Sequence, residues 1–187
     1  MADGLFYLDL REPHLVTDIA AVTMTTTAKA LYPAAAFPVL GGQYFNRPGK
    51  ALKISMWLKF ALGGTPGNLS FNVHWGSGAD NTGTLICVAG TAIAASASVT
   101  KCVYLEFTVR CLTTGTAGTL QGTGWAIADQ ALFTTPLTTL PIMIPMAGAA
   151  ASAALDLTAA NIVSVQVLQS GTAATVTCQS LLVEALN

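Results

Sequence analysis

Along residues 52–60 the side chains Leu52, Ile54, Met56, Leu58 and Phe60 take every second position, with Lys53, Ser55, Trp57 and Lys59 between them. Only an extended backbone puts residues two apart on one side, so this stretch predicts a strand with one face in a core. Turn-forming residues bound it: Arg47-Pro48-Gly49-Lys50 before, Gly63-Gly64-Thr65-Pro66-Gly67 after. Leu69, Phe71, Val73 and Trp75 then alternate with Asn68, Ser70, Asn72 and His74, which makes an antiparallel hairpin across the Gly/Pro turn.

The same period returns in Val103, Leu105, Phe107, Val109 and Cys111, with Tyr104, Glu106, Thr108 and Arg110 facing the other way. Residues 119–128 are extended but interrupted by Gly122 and Gly124, which predicts a bulge or bend. Val163, Val165 and Val167 lead through Ser170-Gly171 into Ala174, Val176 and Cys178, a closing hairpin. Leu182 and Leu186 share the parity of Val176 and Cys178, so that face is expected to stay buried to the end of the strand.

No long stretch has the three-and-four spacing of an amphipathic helix; at most a helical turn is expected within 18–30 or 147–154. About eight strands with turns at short intervals predict an all-β fold, an antiparallel β-sandwich of jelly-roll type. Residues 1–40 lack strict alternation and contain Pro33 and Pro38. They read as an extended N-terminal arm ahead of a sandwich domain at 41–187, or equally as an edge strand of that domain.

Hydrophobic residues make up 52% of the 187 positions and charged ones only 9%, well under the quarter of an ordinary soluble domain. A membrane does not explain this. The uncharged stretches 130–155 and 157–183 are broken by Pro136, Pro141 and Pro145, and by Asn161, Gln166, Gln169 and Gln179, whose backbone gaps and amides are costly in hydrocarbon. A surface of Thr, Ser, Ala and Gly that is partly buried against neighbouring subunits does explain it.

The net charge of −1 offers no footprint for nucleic acid. The opening residues lack a secretory signal pattern, so synthesis in a cytoplasm is expected. Cys87, Cys102, Cys111 and Cys178 match neither a zinc site nor a disulfide scaffold and are expected as free, mostly buried thiols.

No catalytic, cofactor-binding or metal constellation emerges. His74 stands near Asp80 in sequence, but without a nucleophile motif it reads as an exposed strand-end histidine. The carboxylates are scattered, and the Gly-rich loops lack the Lys-Ser/Thr continuation of a phosphate cradle. Aromatic residues carry the interaction signal instead. Trp57 falls on the outward parity between Lys53 and Lys59, and Leu5, Phe6, Tyr7 and Leu8 form an apolar cluster in the arm; these five are the expected interface residues.

Three segments carry a resemblance: Gly-Gly-x-Tyr-Phe-x-Arg-Pro-Gly-Lys at 41–50, Gly-Thr-Pro-Gly-Asn-Leu at 64–69, and Leu-Val-Glu-Ala-Leu-Asn at 182–187. Together they resemble the small jelly-roll virion proteins of tailed bacteriophages, which include head decoration and minor structural proteins. The resemblance spans 41–187 and implies a non-enzymatic role on the capsid surface, cementing the major capsid protein, commonly as trimers. The alternative expectation is a carbohydrate-binding or receptor-binding tail module using Trp57 or Trp125.

Overall fold

In the computed structural model the backbone is described for residues 13–15, 20–32, 39–40, 42, 44–88, 93–134, 142–144 and 150–186. These residues form β1 (Pro13–Leu15), β2 (Val22–Thr23), β3 (Lys29–Ala30), β4 (Ala51–Thr65), β5 (Asn68–Gly76), β6 (Thr84–Val88), β7 (Ile93–Ala94), β8 (Thr100–Thr113), β9 (Thr119–Ala128), β10 (Ile142–Ile144), β11 (Ile162–Gln169) and β12 (Thr172–Leu186). A single 3-10 turn, Gln130–Leu132, is the helical element among the described residues. The expected helical turns are not formed where the backbone is described: 20–30 holds β2 and β3, and Ala151 makes a β-bridge to Gln121.

Two antiparallel sheets pack face to face as an all-β sandwich. The first runs β1-β12-β4-β8-β9-β10, with β2 also on β12; the second runs β3-β11-β5-β6, with β7 pairing the start of β5. Pairing alternates between the sheets as the chain advances: β1 and β2 lie on β12, β3 on β11, β4 on β12 and β5 on β11. An antiparallel ribbon wrapped round a core in this way has jelly-roll connectivity. Of residues 1–40, the described ones supply edge strands to both sheets, and Met24, Ala28, Leu31, Tyr32 and Leu40 are buried. Leu5, Phe6, Tyr7, Leu8 and His14's side chain lie outside the described residues.

Strand parity builds the core. Leu52, Ile54, Met56, Leu58 and Phe60 of β4 face Leu69, Phe71, Val73 and Trp75 of β5 across the sandwich, joined by alternate residues of β8, β11 and β12. Phe60 meets Phe71 edge-on at 6.1 Å between centroids. Each such side chain stabilises the fold by about 1.5–3 kcal/mol relative to exposure.

The strand interiors depart from expectation at two places. Gly122 and Gly124 make no bulge, since β8 and β9 stay in register from Val103 opposite Ala128 to Cys111 opposite Leu120. They are buried, and a Cβ on Gly122 would stand 2.5 Å from the Cβ of Cys87 in the facing sheet. Glycine is there for close approach. A bulge in β12, between Cys178 and Ser180, matters more for the core. One extra residue reverses the parity, so Leu181 and Val183 point into the core, whereas Leu182, Glu184 and Leu186 do not.

Candidate interaction face

The outer side of the first sheet is built from the positions between the core residues. Register places Trp57 of β4 opposite Tyr104 of β8, and Tyr104 opposite Ile127 of β9. The three side chains form one row across three central strands. Trp125, two residues before Ile127, leans into it: Tyr104 lies 5.1 Å from Trp57 and 5.3 Å from Trp125, with the rings tilted by 51° and 53°. Cross-strand aromatic contacts of this kind hold side chains in place on an open sheet face. At the ends of the row, Trp57 is 51% exposed and Ile127 48%.

Beside the row run paired charges. Lys53 Nζ contacts Glu106 at 3.2 Å and Glu184 at 3.4 Å, and the Tyr104 hydroxyl donates to the same Glu106 oxygen at 3.1 Å. The hydrogen bond to Glu106, reinforced by the charges of both carboxylates, holds the Lys53 ammonium above its usual pKa against the opposing effect of burial. Lys101 pairs with Asp129 at 2.7 Å at the margin of the same sheet. Pairs this exposed contribute little to stability, and Lys59 and Arg110 stand exposed on the same face outside them.

The residues singled out in the sequence separate clearly. Trp57 and Trp125 share the outer row, whereas Trp75 is 4% exposed in the core beside Phe45. His74 is not an exposed strand-end residue: it is 8% exposed, its Nδ1 faces the Gly83 carbonyl at 3.4 Å, and its Nε2 has no hydrogen-bond partner among the described residues. Burial lowers its pKa. The turn after β5 covers it. Gln166 on β11 holds that turn down, accepting from Asn81 N–H and donating to the carbonyls of Ala79 and Thr82.

Asp80 does not pair with His74. It takes Lys29 Nζ and the Ala30 N–H, both at 2.8 Å, tying the turn to β3. Among the described residues no group of three or more His, Cys, Asp or Glu side chains is placed to hold a metal. The four cysteines are free thiols; Cys87, Cys111 and Cys178 are buried, and Cys102 is exposed on the outer face two residues before Tyr104. Burial pushes the Cys87 thiol up to about 11.

Sequence reading found Trp57 through its parity and missed Tyr104 and Ile127. Both stand on outward parity, but only the β4–β8–β9 register aligns them. No family model matches the chain, and neither the curated proteins nor the solved structures include a match to it.

Proposed function

We propose that this protein is a non-enzymatic structural component of a tailed-phage particle, a decoration protein that packs on the outside of the shell and stabilises contacts between capsomers. The observation that supports this reading is the outer face of the first sheet: an exposed Trp57–Tyr104–Ile127 row, with the Lys53–Glu106–Glu184 set and the Lys101–Asp129 pair around it, on a chain with only 9% charged residues. An apolar centre with a polar rim is the anatomy of a protein-binding patch. In this reading the partners are the major capsid protein and further copies of the chain, and neither nucleic acid nor membrane takes part.

Electron cryomicroscopy of particles carrying the chain tests it. Sandwich-shaped density at capsomer junctions is the expected result. Density confined to the tail, or none on the particle, would remove the decoration role.

The exposed Trp57 ring, with Lys59 two residues along the same face, also suits stacking on a sugar. That second reading, a glycan-binding module, expects saturable binding on a glycan array that is lost in Trp57→Ala. A blank array would sink it.

A further inference from the structure

We propose that the turn of residues 77–83 is an acid-released latch: a proton taken up by His74 lifts the turn off the second sheet and loosens the edge strand β3 that the turn holds in place. The device stands apart from the function proposed above and needs neither a shell nor a glycan.

The turn closes over a ring nitrogen that is left without a bond. His74 is 8% exposed on the outer side of β5, its Nδ1 is spent on the Gly83 carbonyl, and its Nε2 has no hydrogen-bond partner among the described residues. A buried polar atom in that state gains by reaching water. Only the turn has to move for that to happen, because β5 beneath it is paired on both sides, with β11 and with β6.

The turn's fastenings suit local opening. Residues 77–83 carry no apolar side chain larger than that of Ala79, so apolar burial does not hold them down. Gln166 accepts from the Asn81 N–H at 3.0 Å and donates to the carbonyls of Ala79 and Thr82, and Asp80 accepts from Lys29 Nζ and the Ala30 N–H. Segments held by a few exposed hydrogen bonds open far more often than ladders in a sheet. The two ends are pinned. Gly83 has φ +86°, and a Cβ on Gly76 would stand 2.7 Å from the Gly83 Cα, so the glycines let the chain close on itself and the turn swings about that pair.

Protonation acts on the latch through charge. Around the ring, β6 brings Leu85 and β11 brings Ser164, both uncharged. The titratable side chain of β6, Cys87, points into the core against Gly122. The turn's own charged residue, Asp80, is turned to Lys29 on β3. No carboxylate therefore compensates an imidazolium at this place. Burial resists the charge and outweighs the Gly83 and Thr82 carbonyls, which favour it. An open ring in water takes the proton at pH ~6.5. The open form is thus the better proton acceptor, and below about pH 6.5 it gains population until the pH reaches the lowered value of the closed site. Burial raises the pKa of Asp80, but the Lys29 bond and the Ala30 N–H outweigh it, so Asp80 stays charged through this window and its own titration does not open the turn.

Asp80 leaves with the turn. β3 pairs with β11 at two positions only, Ala30 opposite Gln166 and Lys29 opposite Val167, and both of its residues are also bonded to Asp80. Opening removes those two bonds at once, so the proton on β5 is felt at the edge of the sheet.

Amide exchange of the full chain, followed by NMR from pH ~8 to ~5.5 and corrected for the exchange rate of an unfolded peptide at each pH, tests this. Two amides report directly: Asn81 N–H, bonded to Gln166, and Ala30 N–H, bonded to Asp80. Both should lose protection together, by up to about tenfold between pH ~7.5 and ~5.5, while the amides of the β5–β11 ladder keep theirs. His74→Gln should hold both level across the range. Asp80→Ala should cost Ala30 its protection at every pH and leave the Asn81 response intact, which keeps the test alive if His74→Gln does not fold.

Unchanged protection at Asn81 and Ala30 in the wild type overturns the latch, and so does an equal loss in His74→Gln. Loss in the ladder amides at the same pH means that the sandwich unfolds as a whole, and it overturns the latch too. A response at Asn81 without one at Ala30 overturns the coupling to β3. The imidazole nitrogen signals give a separate check at pH ~8, where the proton should sit on Nδ1; a proton on Nε2 would remove the premise.

Discussion

The Nδ1 of His74 faces a carbonyl, which can only accept, so Nδ1 carries the proton and Nε2 is an acceptor with no hydrogen-bond partner among the described residues. Adding a proton there puts charge into a buried site, and burial accordingly lowers the pKa in the folded chain. The unfolded chain takes up that proton near pH ~6.5. Below that pH it binds more protons than the folded chain, so stability must fall as pH drops from about 6.5 toward the lowered folded value, and stays level above. For Asp80 the sign is reversed in origin: burial raises its pKa, but the Lys29 bond and the Ala30 N–H outweigh it and leave the pKa low. Its contribution is lost only at more acid pH, below about 4. Urea unfolding of the wild type across mildly acid pH should show the first step, and His74→Gln should remove it. An equal slope in both proteins would show that His74 is not its source.

At the scale of the strand, the alternation of β4, β5 and β8 is legible because each sets apolar against polar residues without a break. The inward faces assigned from parity are buried, and Ser55, Ser70 and His74 on the opposite faces are buried as well. β12 is not legible in this way. Leu181, Leu182 and Val183 are all apolar, so either parity gives a plausible inward set, and only pairing with β4 shows that Gln179 is the extra residue. Removing it tests the point. Deletion of Gln179 would turn Leu181 and Val183 outward and pull Leu182 and Glu184 inward, losing about 1.5–3 kcal/mol for each displaced apolar side chain and burying a carboxylate. The deletion should abolish soluble folded protein, whereas Gln179→Ala should melt within a few degrees of wild type. Covering elements escape sequence reading for a related reason. The turn after β5 looks like an exposed Gly-rich loop, and only Gln166, from a strand far along the chain, makes it a lid over His74.

The whole molecule depends on its first strands in a way that local pattern does not reveal. A jelly roll closes its two sheets with strands from both ends of the chain, so β1 and β2 cover the edge of β12 while β3 covers β11. Leu31 and Tyr32, which follow β3, are 1% and 2% exposed and sit among the largest fully buried side chains. Cutting the chain after residue 32 would bare unpaired strand edges and leave a cavity where Leu31 and Tyr32 had been, each loss worth several kcal/mol. That truncation should aggregate. Removal of residues 1–12 instead keeps β1 and every buried side chain named above while deleting Leu5, Phe6, Tyr7 and Leu8, and its melting temperature should stay close to that of the full chain. If those four residues carry contacts to a shell, the shorter truncation will remain folded and lose shell binding in co-sedimentation. Undiminished binding would put the contact on the sandwich itself and leave the N-terminal cluster without a part in docking.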